Sequence, residues 1–89
     1  MKLDALERSV DELLEAGPPY DRESMETLLR VRTKVDAVCT IAMGEFDTWG
    51  EWAPDGARTA GSWVAKTGRL PRAEAGRLVK RARALARFP

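Results

Sequence analysis

The chain has 89 residues, of which 44% are hydrophobic and 33% charged, and its 15 Lys and Arg nearly balance its 14 Asp and Glu. This composition is typical of a single small helical domain over residues 1–89 and is too apolar for full disorder. No run of about 18 apolar residues is present, which excludes a membrane span. The N-terminus leads into an acidic amphipathic stretch and not an apolar signal core, so we expect a cytoplasmic protein.

The residue types needed for most catalytic centres are scarce. The chain has no histidine and one cysteine, Cys39. This excludes His-based acid–base chemistry, a Ser-His-Asp triad, a His-ligated metal, a thiolate zinc site and an internal disulfide. Cys39 follows Val38 in an apolar stretch, so we expect a buried thiol. We therefore expect no enzyme activity, no cofactor and no small-molecule substrate.

The first half of the chain predicts two helices. Apolar residues at spacings of three and four predict an amphipathic helix over roughly residues 2–16, which Gly17-Pro18-Pro19 ends. A second helix runs from about Asp21 or Ser24, either of which can cap it, to about Thr48. At about 25 residues this helix is longer than so small a domain needs. We expect the two to form an antiparallel hairpin, with part of a broad apolar face covered by another chain.

The second half predicts two shorter helices. Residues 49–56 form a loop, and Asp55 is the expected N-cap of a third helix over about residues 57–66. Gly68 breaks the pattern, and Pro71 suits the first turn of a fourth helix over about residues 71–87. The inward stripe of this helix is Ala75, Leu78, Val79, Ala82, Leu85 and Ala86, and its outer face carries Arg72, Arg77, Lys80, Arg81, Arg83 and Arg87.

Charge is divided between the two ends of the chain. Residues 1–55 hold six Lys and Arg against thirteen Asp and Glu, a net charge of −7, whereas residues 56–89 hold nine against Glu74 alone, a net charge of +8. A surface helix kept soluble by charge normally mixes both signs. The basic segment therefore favours a polyanion, with nucleic acid as the first candidate. An acidic partner, or the acidic half of a second copy, is the alternative.

Helices 3 and 4 fit the helix-turn-helix template. Counted from Gly61, the small position of the first helix is Ala65, and the glycine usual in the turn falls on Arg69. Helix 4 is then the recognition helix, with Arg72, Ala73 and Arg77 toward the major groove. Phosphate contacts are expected from the remaining cations, which are Lys66, Arg69, Lys80, Arg81 and Arg83.

The same basic face is also compatible with a solvated helix packed on the rest of the domain. Of the tryptophans, Trp63 has the spacing of a core residue, and Trp49 and Trp52 either cover the end of helix 2 or form an exposed patch. Stacking on bases is less favoured because acidic residues surround them.

The run from Asp55 to Ala65, DGARTAGSWVA, resembles the actinobacterial thirteen-E-twelve repeat family, whose domain of unknown function often precedes an HNH endonuclease module. The resemblance continues through Leu70 and along residues 72–85, covers about a third of the chain, and implies the N-terminal, DNA-engaging portion of such a protein. Family members usually have Thr-Gly-Leu-Ser at the turn, where this chain has Gly-Arg-Leu-Pro ending at Pro71. HNH chemistry needs histidine, so the resemblance implies no nuclease activity here.

Two functional hypotheses follow. The first is a non-catalytic module that binds nucleic acid, most simply duplex DNA, through the basic C-terminal helix. The second is a homodimerisation or protein-interaction module, in which the acidic half pairs with the basic half of another copy or with a partner. The nucleic-acid contacts expected under the first hypothesis are Lys66, Arg69, Arg72, Arg77, Lys80, Arg81 and Arg83.

Overall fold

The computed structural model describes the backbone of residues 1–87 and the side chains of residues 1–86. Its helices are α1 (Lys2–Ala16), α2 (Arg22–Thr48), α3 (Ala60–Gly68) and α4 (Arg72–Arg87), with a short 3₁₀ turn at Ala53–Asp55. No strand occurs in this part of the chain, so the all-α prediction is confirmed. None of these helices is both long and apolar enough to cross a membrane.

The chain divides into two compact units, Met1–Arg32 and Thr33–Pro89. In the first unit, α1 ends where Gly17 takes a left-handed backbone with φ of 82°, as the glycine and prolines predict. Asp21 caps α2, because its carboxylate accepts a hydrogen bond from the backbone N–H of Ser24 at 3.1 Å. Hydrogen bonds from the Ser24 side chain and backbone lower the pKa of Asp21. The predicted helix boundaries in this unit are therefore correct.

The core of the second unit is built from small side chains on α3 and α4. Ala60 and Ala75 are fully buried, and Val64 and Val79 lie with them. A Cβ placed on Gly61 of α3 would come within 3.9 Å of the Cα of Gly76 on α4. Small residues therefore let the two helices approach closely. Other, partly buried hydrophobic residues pack around this cluster, and they are Met43, Trp52, Trp63, Ala65 and Leu70.

Helix α4 also packs against the C-terminal half of α2. A Cβ on Gly44 would lie 3.6 Å from the carbonyl oxygen of Ala82, which is 2% exposed. Two ion pairs flank this contact: Arg81 binds Asp36 at 2.5 Å, and Arg83 binds Asp47 at 2.6 Å. The two aspartates are eleven residues apart on α2, about 16 Å, whereas the two arginines are two residues apart on α4, about 3 Å. Helix α4 must therefore cross α2 and not run alongside it.

Local chemistry shifts two helix starts from their predicted positions. Helix α3 begins at Ala60 and not at 57, because Thr59 and Ser62 form a capping box. The prediction that Asp55 caps α3 is therefore wrong. Helix α4 begins at Arg72, one residue after Pro71, whose carbonyl accepts a hydrogen bond from the N–H of Ala75 at 3.0 Å.

Three side chains differ from their predicted burial. Cys39 is exposed and not buried, because it lies one helical turn before Met43, the α2 residue that packs on the core. Leu85 is 55% exposed and Ala86 is also exposed. Both extend past the point where α4 crosses α2, so the inward stripe of α4 ends at Ala82. The side chain of Arg87 lies outside the described part of the chain.

Candidate nucleic-acid interface

Several residues in the run from Asp55 to Ala65 have identifiable structural roles. Asp55 accepts a hydrogen bond from the indole N–H of Trp63 at 2.7 Å. Gly56 has a left-handed backbone with φ of 81°, which glycine adopts without steric cost. Thr59 accepts a hydrogen bond from the backbone N–H of Ser62 at 3.0 Å. This segment therefore fixes the loop that leads into α3.

An open groove of about 1140 Å³ lies beside this loop. Asp55 and Trp63 form part of its wall, and Leu70 from the α3–α4 turn lies at the other side. Three cations line the same groove, namely Arg58, Lys66 and Arg72. The loop before α3 and the turn after it thus bring positive charge to one concave surface, as phosphate binding requires.

The turn between α3 and α4 supplies a fourth cation from an unusual backbone. Arg69 has φ of 54° and ψ of 46°, and it is the one described non-glycine residue with positive φ. The N–H of Leu70 donates to the carbonyl of Ala65 at 2.9 Å, which closes the end of α3. Glycine is the residue that favours this position, and the template places its turn glycine here. An arginine is therefore held where local backbone energetics favour glycine.

The exposed face of α4 extends the positive surface. Arg77 and Lys80 are exposed, whereas Ala75 and Val79 are buried. Ala73, Arg77, Lys80 and Ala84 recur at spacings of four, three and four, so they share one helix face. The alanines at the two ends of this row leave the surface beside the cations free of bulk, which suits close approach to a groove of duplex DNA.

The two remaining predicted contacts are held in intramolecular ion pairs. Arg83 donates from Nε and a terminal nitrogen to both oxygens of Asp47, at 2.6 and 2.8 Å. These hydrogen bonds lower the pKa of Asp47 and raise that of Arg83. Arg81 donates to Asp36. In the described part of the chain, no ion pair engages the other five predicted contacts, which are Lys66, Arg69, Arg72, Arg77 and Lys80.

Sequence reasoning left Arg58 out of the predicted contacts. Arg58 precedes α3 in a loop, and only the fold brings it to the groove that Lys66 and Arg72 line. The sequence nonetheless indicated a role for Arg58, because this residue lies inside the run from Asp55 to Ala65 that resembles a known family. We add it to the candidate interface, which we define as Arg58, Lys66, Arg69, Arg72, Arg77 and Lys80 and call the basic surface.

The tryptophans divide into packing and exposed residues. Trp63 packs on the core, as its spacing predicts, and its ring centroid lies 4.6 Å from that of Phe46. Trp52 also packs on the core. Trp49 is 73% exposed and donates its indole N–H to Glu45 at 2.8 Å. Trp49 is thus the exposed member of the pair predicted either to cover α2 or to form a surface patch.

No protein-family model, no curated protein and no solved structure matches this chain. Function is therefore proposed from the chain's own residues.

Proposed function

We propose that this chain is a non-catalytic nucleic-acid-binding module that engages duplex DNA through the basic surface. The observation that carries the proposal is the convergence of Arg58, Lys66 and Arg72 on one open groove, next to the left-handed Arg69. In the described residues none of these cations is neutralised by an ion pair. Unpaired cations on a concave surface attract phosphates and pay little desolvation cost when they bind them.

The helix-turn-helix reading assigns separate tasks to the two parts of the basic surface. Cations at the groove and the turn contact phosphates and set the orientation of the module. The exposed face of α4 enters the major groove, where Arg77 is suited to bidentate contact with guanine. The proposal includes the run from Asp55 to Ala65, as its resemblance to the thirteen-E-twelve family implies, although no family model matches the chain. The residues resembling that family would here form the DNA-engaging part alone.

The paired arginines sharpen the expected contact set. Because Arg81 and Arg83 are held by Asp36 and Asp47, they contribute less to binding than the unpaired cations. Their role in this proposal is to fix α4 against α2 and so to orient the basic surface.

A charge-reversal experiment tests the proposal. Binding of a fluorescent random duplex is measured by anisotropy at low salt for the unaltered chain and for the double variant Lys66→Glu/Arg72→Glu. The matched control, Arg22→Glu/Arg32→Glu, makes the same change in net charge on exposed positions of α2. We expect at least about a hundredfold weaker binding for the first variant and a much smaller change for the control. Equal losses in both, or no binding by the unaltered chain, would refute the proposal.

Self-association is a second proposed role, and a specific observation favours it. Every residue of α1 is exposed, including the leucines and valine of its apolar stripe. An amphipathic helix normally buries such a stripe against a partner. The predicted antiparallel hairpin of α1 and α2 would bury this stripe, so the exposure of α1 favours a partner chain over the hairpin. The two roles are compatible, because helical DNA-binding modules are often dimers.

A further inference from the structure

The apolar stripe of α1 has the spacing of a helix that docks lengthwise on a partner. Leu3, Leu6, Val10 and Leu13 follow one another at intervals of three, four and three, which is a heptad pattern. They are 62%, 41%, 46% and 42% exposed. The stripe therefore presents a continuous row of apolar side chains that its own unit leaves open to solvent.

The second unit contains a mostly apolar groove. It has a volume of about 430 Å³ and lies between the C-terminal half of α2 and the end of α4. Gly44 and Ala82 are among its lining residues, and they lie where the two helices cross. Ile41, Trp49 and Leu85 also line it and are 71%, 73% and 55% exposed. A groove of this kind receives the apolar face of an amphipathic helix, with anchors one turn apart.

The net charges of the two units favour contact between the first unit of one copy and the second unit of another. Unit Met1–Arg32 has five bases and eight acids, a net charge of −3, and unit Thr33–Pro89 has ten bases and six acids, a net charge of +4. Two copies of the first unit repel each other, whereas the first unit of one copy attracts the second unit of another. Helix α1 itself holds two bases and five acids.

The surroundings of the groove agree with an acidic occupant. By helical spacing, Lys34 lies two turns before Ile41 on α2, and Arg81 lies one turn before Leu85 on α4. Both cations are exposed. The acid that lines the groove, Glu45, accepts the indole N–H of Trp49. Arg81 is already paired with Asp36, so Lys34 is the cation beside the groove that would meet the acids of α1.

From these observations we infer that α1 of each copy docks in the α2–α4 groove of a second copy, which forms a reciprocal dimer. The inference rests on the self-association role proposed above and names its site. It leaves the exposed face of α4 accessible, because Arg77 and Lys80 lie on the side opposite Val79 and Ala82 by helical spacing. One dimer then presents two basic surfaces.

Complementation between two variants tests the inference. Leu6→Asp/Leu13→Asp alters the stripe, and Ile41→Asp/Leu85→Asp alters the groove. All four side chains are exposed, so the fold should survive, which far-UV circular dichroism of each variant checks. The milder variants Leu6→Ser and Leu85→Ser repeat the experiment if an aspartate variant unfolds. Dimerisation is measured by sedimentation equilibrium, with one variant labelled in the mixture.

We expect the unaltered chain to sediment at twice its 9.9 kDa mass. Each variant alone should show at least about a hundredfold weaker dimerisation. Their mixture should dimerise more strongly than either variant alone, though less than the unaltered chain, because one of its two docking sites joins an intact stripe to an intact groove. If the unaltered chain is monomeric at high concentration, both the self-association role and this docking site are refuted. A dimer whose two variants fail to complement, or one in which only one variant weakens assembly, would retain self-association but overturn the docking site.

Discussion

Replacing Arg69 by glycine should stabilise the fold while it weakens nucleic-acid binding. Arg69 has φ of 54°, a backbone conformation that costs a residue with a Cβ about 1–2 kcal/mol relative to its favoured regions. Glycine removes that cost but adds about 0.5–1 kcal/mol of chain entropy in the unfolded state. The net gain is about 0.5–1 kcal/mol, which corresponds to a rise in Tm of about 2–8 °C for a domain of this size.

Urea unfolding followed by tryptophan fluorescence measures this change, because Trp52 and Trp63 pack against the core of the same unit. The control is Arg69→Ala, which deletes the side chain and its charge but keeps a Cβ on the left-handed backbone. We expect the alanine variant to have nearly the stability of the unaltered chain, and both variants to bind duplex DNA more weakly. A glycine variant that is no more stable than the alanine variant would refute the account of this turn.

Two further predictions concern the contact between α2 and α4. Gly44→Leu should lower the free energy of unfolding by about 1–3 kcal/mol, because its side chain would crowd Ala82. Gly44→Ala should be tolerated, because its Cβ would lie 3.6 Å from the nearest atom. Urea unfolding of the two variants checks this, and equal losses of stability would contradict it. The pKa of Asp47 is lower in the folded chain than in the unfolded chain, where it is about 3.9. The ion pair with Arg83 therefore stabilises the fold above about pH 3.9, and this effect is lost as the pH falls through the folded-state pKa. Asp47→Asn should therefore be less stable than the unaltered chain by about 1 kcal/mol at pH 6. The difference should shrink as the pH falls through the lowered pKa of Asp47, and a difference that stays constant into acid would refute this.

The features predicted correctly from the sequence depend on neighbouring residues. Gly17 and the prolines after it end α1, and Asp21 reaches the N–H of Ser24 only three residues away. The buried faces of α3 and α4 follow from helical spacing, which a sequence displays directly. Such signals act within one or two helical turns, so they do not depend on how the rest of the chain folds.

The features that were missed depend on which parts of the chain the fold brings together. Asp36 pairs with Arg81 across 45 residues of sequence, and no local pattern shows that this arginine is already bound. Cys39 is predicted to be buried because it shares a helix face with Met43, but spacing alone does not say how far along α2 the packing extends. Thr59 and Asp55 are both good caps, and the indole of Trp63 decides between them by binding Asp55.

The salt dependence of DNA binding tests the central claim most directly. If about five of the cations in the basic surface meet phosphates, a plot of log K against log[salt] should have a slope near −4 to −5. The triple variant Lys66→Gln/Arg69→Gln/Arg72→Gln should reduce the magnitude of that slope by about three, since each lost contact removes about 0.9. Tight binding that is insensitive to salt, or a slope that the triple variant leaves unchanged, would contradict the assignment of this surface.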